Sequence, residues 1–178
     1  MLSMGRPSLS PRPSLRLSIH PPLPRSLRTS GRRSTSARSA DEAWAVLAGA
    51  GPGRHWYVDA APFVVRGVLD RLALGGGRRW PVPDGPLLRA GDRAGFWRVL
   101  AAGTTATGHR LVLEAAVRAP GRALLELRVD RLPAGCAVDL AITFEPDGLL
   151  GAAYLLTDVP AREAVTALVD ARIRQDLS

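Results

Sequence analysis

Between positions 91 and 146 apolar and polar residues alternate with a period of two. Trp97, Val99 and Ala101 alternate with Phe96, Arg98 and Leu100, and Leu111, Leu113, Ala115 and Val117 with Arg110, Val112, Glu114 and Arg118. Ala123, Leu125, Leu127 and Val129 alternate with Leu124, Glu126, Arg128 and Asp130. Cys136, Val138, Leu140, Ile142 and Phe144 alternate with Ala137, Asp139, Ala141, Thr143 and Glu145. Successive side chains of a strand point to opposite faces, so these runs predict an antiparallel sheet with one greasy face and one charged face. Ala119-Pro120-Gly121 and the stretch from Leu132 to Gly135 are short enough to be hairpin connections.

Outside this block the period is helical. Asp41 to Gly49 predicts a short helix with Asp41 as N-cap and Trp44, Leu47 and Ala48 on one face. Gly51-Pro52-Gly53 turns the chain, and a second helix is predicted from about Phe63 to Leu74, closed by Gly75-Gly76-Gly77. After Pro146 come a short apolar stripe (Leu149, Leu150, Ala153, Tyr154) and a final helix expected to start at Pro160. That helix carries Ala164, Val165, Leu168, Val169, Arg172 and Ile173 at helical spacing. Two helices, four or more strands and a last helix, with one apolar sheet face to cover, describe an α+β helix-grip fold. In it a curved antiparallel sheet wraps around a long C-terminal helix. Such a fold calls for a strand ahead of the first helix, and residues 29–39 offer only a weak one.

Charge divides the chain. The net charge is +8 over 178 residues, yet residues 1–40 hold eight arginines and no acid, which leaves the rest neutral. A neutral domain argues against a specific nucleic-acid-binding surface. With ten serines and six prolines beside those arginines, residues 1–40 read as a disordered leader and 41–178 as the domain. A miscalled or dispensable leader is the simplest account; a targeting segment and a polyanion-contacting arm are the others. Every basic residue is arginine and none is lysine, the bias of a GC-rich bacterial genome. The one cysteine, Cys136, excludes a disulfide scaffold and a thiolate metal site. The longest apolar run, Leu149 to Leu156, is eight residues, far below the roughly 18 of a membrane span. A cytoplasmic protein without a secretion signal is expected.

From Trp44 to about Ile173 the chain resembles the bacterial domain-of-unknown-function family 2867. The matching segments are Trp56-Tyr57, the run Arg66 to Leu72, Arg78-Arg79, Gly91-Asp92 leading to Phe96-Trp97-Arg98-Val99, Pro120-Gly121-Arg122-Ala123, and Gly148-Leu149-Leu150-Gly151 with Tyr154. The resemblance implies kinship with the START and polyketide-cyclase-like superfamily, and so a START-like fold with a tendency to bind ligands. Relatives are often fused behind a short-chain-dehydrogenase-like domain that binds NAD(P). No dinucleotide fingerprint exists in this chain, so a separately encoded oxidoreductase of that kind is a candidate partner. Departures from the family pattern are His55 where glycine is common, Gly95 and Ala116 where acids are common, and Leu124 where tryptophan is common.

Each candidate residue has a functional and a structural reading. Arg66 and Asp70, four apart on the second helix, suit a ligand carboxylate or a helical salt bridge, and the salt bridge is favoured. Trp97 suits a pocket wall or core. His55, beside Trp56 and Tyr57, is a general-base candidate but is favoured as a loop histidine; His109 is expected to be exposed. Gly75-Gly76-Gly77 with Arg78-Arg79 could cradle phosphate, but loop duty is favoured. No metal-ligand spacing occurs, and neither metal nor cofactor is expected. The function expected is binding of a hydrophobic small molecule between sheet and terminal helix. The pocket would be lined from Trp56, Tyr57, Arg66, Asp70, Trp97, Leu113, Leu125, Leu127, Leu140 and Ile142. The alternatives are a cyclase-like enzyme, which needs an inward-pointing proton-transfer residue, and an accessory domain with a filled core.

Overall fold

The computed structural model describes residues 25–51, 53, 55–60, 62, 83, 85–116 and 121–178, with the backbone alone at 25, 26 and 152–158. The elements in chain order are α1 (Arg25–Arg28), β1 (Thr29–Ser36), α2 (Ala40–Leu47), α3 (Trp56–Asp59), β2 (Arg93–Ala94), β3 (Trp97–Thr104), β4 (Gly108–Ala115), β5 (Gly121–Leu132), β6 (Gly135–Pro146) and α4 (Gly148–Leu177). All strands join one antiparallel sheet in the order β1-β6-β5-β4-β3-β2, so first and last strands meet across the length of the chain. With the 30-residue α4 laid against it, this is the helix-grip architecture.

The two-residue rhythm places side chains as the pattern predicts. Trp97, Val99, Leu111, Leu113, Leu125, Leu127, Val129, Val138, Leu140 and Ile142 are all buried on the inner face. On the outer face Glu114 pairs with Arg98 and Arg122 at 3.3 and 2.7 Å. Arg110 and Arg128 stand directly opposite each other in the β4–β5 register, and both bond Glu126 at 2.7 Å. The acid thereby offsets a like-charge cross-strand pair. A bulge between Val99 and Ala101 breaks the rhythm once: Ala101 pairs with Val112 and Ala102 with Leu111, so Ala102 rather than Ala101 shares the inner parity.

Four expectations need correction. The leader cannot extend to residue 40, because Thr29–Ser36 pairs with β6 along its whole length. Its apolar signal is missing because its inner-parity residues are Ser30, Arg32, Ser34 and Ser36, which meet a polar stretch of α4 instead of grease. There the buried Arg162 donates to Ser30 Oγ at 3.0 Å and to the Leu27 carbonyl at 2.7 Å. Arg32 pairs with Glu163 at 2.9 Å, and Arg38 donates to the Leu177 carbonyl at 3.0 Å.

The cap of α2 is Ser39, not Asp41: Ser39 and Glu42 form a reciprocal capping box, and Asp41 lies in the first turn. The final helix begins at Gly148 and carries Pro160 inside it, one continuous helix where two segments were expected. Proline has no N–H for the carbonyl four residues back, and packing against β1 and β6 holds the helix through that gap. His109 is 7% exposed, not solvent-facing, for the reason described below. The predicted helix over 63–74, the glycine triplet, Arg66, Asp70, Arg78 and Arg79 lie outside the described residues. Among the described residues no helix is long and apolar enough to cross a membrane.

Candidate functional site

Trp97, Leu113, Leu125, Leu127, Leu140 and Ile142 come together as one apolar patch across four strands. Leu125 faces Leu113 on one side and Ile142 on the other, and Leu127 lies between Leu111 and Leu140. Among the described residues α4 packs chiefly against β1 and β6, while α2 lies over β4 and β5. The helix therefore leans on one margin of the sheet.

Trp56 and Tyr57 reach the same core from α3, with their rings edge to face at 5.6 Å. Their polar ends have partners. Trp56 Nε1 donates to the Leu47 carbonyl at 2.8 Å, and the Tyr57 hydroxyl donates to the Gly49 carbonyl at 2.7 Å. Trp97 Nε1 donates to the Tyr57 carbonyl at 2.8 Å, tying β3 to α3. Burial and the nearby Asp59 charge push the Tyr57 phenol up to about 12, which keeps it protonated and unsuited to general-base work. His55 stacks on Tyr57, bonds the Gly51 carbonyl through Nε2 at 2.7 Å, and gives its backbone N–H to Asp59. These contacts make it a structural loop histidine.

The sheet acids do not enter the interior. Glu114, Glu126 and Asp139 are engaged by arginines on the outer face. Arg110 and Arg128 hold the Glu126 carboxyl below its ordinary range against the opposing effect of its partial burial. Asp92 closes a turn by accepting from the Arg89 backbone N–H at 2.8 Å. Among the described residues no cluster of three potential ligands could hold a metal.

A histidine also lies on the inner face. His109 has the parity of Leu111 and Leu113, at the end of β4 beneath α2. Its ring stacks on Trp44, centroids 5.0 Å apart and planes 9° from parallel, and its Nε2 lies 2.6 Å from Asp41 Oδ1. Arg131 of β5 donates to the same oxygen at 3.2 Å. The hydrogen bond from His109, with help from Arg131, holds the Asp41 carboxyl below its ordinary range. Gly108 sets the close approach: a Cβ there would overlap the Val129 carbonyl. The same alternation that marks Leu111 as inward marks His109, so the signal was present in the sequence. Only the approach of α2, a long-range contact, was not.

A separate groove of about 470 Å³ runs along the β1–α4 seam, lined by Ser34, Thr35, Ser36, Ala37, Arg38, Arg174, Leu177 and Ser178. None of the expected pocket residues borders it. Its arginines have partners, Arg38 on the Leu177 and Ser178 carbonyls and Arg174 on Asp170.

A family model described as Protein of unknown function (DUF2867) matches residues 29–168, from the first residue of β1 well into α4. The chain belongs to this family. Solved structures give distant likenesses. A Rhodobacter sphaeroides protein is 18% identical, with TM-score 0.42, over 86% of this chain and 89% of that one. Ara h 8.0201 is 10% identical, with TM-score 0.39, over 83% and 97%. CalU16 from Micromonospora echinospora is 15% identical, with TM-score 0.37, over 83% and 84%. No curated protein matches the chain significantly.

Proposed function

We propose that this protein binds a hydrophobic small molecule between the inner face of its sheet and α4. One observation carries the proposal. The inner face is apolar from β3 to β6, and among the described residues α4 leans on β1 and β6, so the β3–β5 half is covered by the short helices α2 and α3, the cover that a small molecule displaces on binding. An apolar wall with few polar groups is the usual form of a small-molecule site. Trp97, Leu113, Leu125 and Leu127 form that wall, with Leu140 and Ile142 completing it toward α4. Arg66 and Asp70, outside the described residues, stay candidates on the sequence reading alone.

Binding is favoured over cyclase-like catalysis because the sheet's acids Glu114, Glu126 and Asp139 are turned outward and paired. A second use of the domain, docking on a separately encoded short-chain-dehydrogenase-like protein, draws on Leu149 and Leu150. These stand 71% and 80% exposed at the start of α4. Native mass spectrometry of the purified protein tests the binding proposal: a bound small molecule lost on raising the collision energy supports it. Bare chain only, both as purified and after incubation with apolar extracts of the host, counts against it.

A further inference from the structure

The two edges of the sheet are protected unequally. An edge strand presents a row of N–H and C=O groups, which charged side chains, bulges or a covering element normally shield. At one edge β1 carries Arg32 and Arg33 and packs against α4. At the other edge β2 pairs with Trp97 and Arg98 of β3. Just beyond it, Val99 donates to the Asp92 carbonyl and accepts from the Gly91 N–H, both at 2.9 Å. The bulge after Val99 then reverses which residues turn their backbone groups outward. Thr105 donates to the Gly108 carbonyl at 2.8 Å, so Ala101, Gly103 and Thr105 direct their backbone groups toward β4, and Ala102 and Thr104 direct theirs away from it. Those outward groups have no partner among the described residues. From Val99 to Gly108 no residue is charged, and Thr104 to Thr107 are exposed.

We propose that this edge of β3 pairs antiparallel with the same edge of a second copy of the chain, joining two sheets into one. The groups left over at Ala102 and Thr104 suit an extended strand, and a second copy supplies one that is equally short and equally uncharged. A two-fold axis at Gly103 sets Ala102 of each copy opposite Thr104 of the other, and each such pair exchanges both of its backbone hydrogen bonds. No like charges are brought together, because Arg98, the nearest charged residue on β3, is engaged by Glu114 on the outer face at 3.3 Å. With so short a seam the dimer is a weak one that forms only in concentrated solution. The seam is independent of the interior and of any ligand there.

Sedimentation velocity of the full chain at about 10 and about 500 µM tests the seam, alongside Ala102→Pro and Thr104→Lys. Proline removes the outward N–H and no bond to β4, which an edge strand tolerates. Lysine is the charge that protected edges usually carry. The unaltered chain is expected to be monomeric at the lower concentration and mostly dimeric at the higher. Each variant acts twice across the two-fold axis and should raise the dissociation constant about 10-fold. Hydrogen exchange of the unaltered chain gives a second readout that does not depend on a variant folding. The Ala102 and Thr104 amides should exchange about 3-fold more slowly at the higher concentration, while the Gly103 amide, which faces β4, does not change. A chain that stays monomeric at the higher concentration overturns the pairing. A dimer whose Ala102 and Thr104 amides exchange equally fast at both concentrations uses another face, and overturns it as well.

Discussion

Leu127→Ala and Glu126→Ala sit one residue apart on β5, and their effects on stability should differ several-fold. Leu127 is 0% exposed, between Leu111 of β4 and Leu140 of β6. Truncating a fully buried leucine removes its transfer free energy and leaves a cavity, about 3 kcal/mol within a range of roughly 2–5. For a domain of this size that lowers the melting temperature by ~6–12 °C, at ~2–4 °C per kcal/mol. Glu126 is charged and bonds two arginines at 2.7 Å, yet its side chain keeps 27% of its exposure. Solvent screens such pairs, and each is worth about 0.2–1 kcal/mol, partly offset as Arg110 and Arg128 relax apart. Its loss should cost no more than about 1 kcal/mol. Urea unfolding followed by tryptophan fluorescence reads both variants, with the slope of the transition expected to stay constant. If Glu126→Ala destabilises as much as Leu127→Ala, or if Leu127→Ala is nearly silent, the assignment of inner and outer faces is wrong.

Three further outcomes follow from single features. Asp41 and Glu42 have carboxyls held below their ordinary range, the first by His109 and the second by the Ser39 cap. Their stabilisation is present above the ordinary carboxylate value, about pH 4, and is lost as pH falls through the lowered values. Thermal melts should therefore drop on acidification, and less steeply in Glu42→Gln. Tyr57 runs the other way: its phenol is raised from 10.0 to about 12, so the fold loses stability as pH climbs through that window, and Tyr57→Phe should escape this loss. Pro160→Ala restores a helical N–H at an exposed position of α4 and should raise the melting temperature, by up to about 3 kcal/mol of added stability. A lower melting temperature would mean that the helix needs the proline's shape to follow the sheet.

Much of the fold could be read from the chain because a sheet covered on one side writes its orientation into the sequence. Leu125 and Leu127 against Glu126 and Arg128 is such a case, and the buried and paired partners agree with it. β1 was unreadable for the opposite reason. Its inward positions are serine and arginine, matched to Arg162 and Glu163 on α4, and it is the pairing with distant β6 that makes the segment a strand. Local rules likewise gave the wrong end for α2 and a break at Pro160, where the Ser39–Glu42 box and tertiary packing decide. Of the candidate site, the apolar wall was legible and His109 half so. Alternation turns it inward, but its partner Asp41 comes from 68 residues away in sequence, beyond any periodicity.

A crystal of the protein pressurised with xenon gives the most direct check, since dry apolar cavities take up this gas whatever the natural ligand is. Xenon density between α4 and the Trp97, Leu113 and Leu125 side chains is the predicted result. A well-ordered crystal with that space closed by packed side chains and no bound gas would contradict a ligand-binding interior.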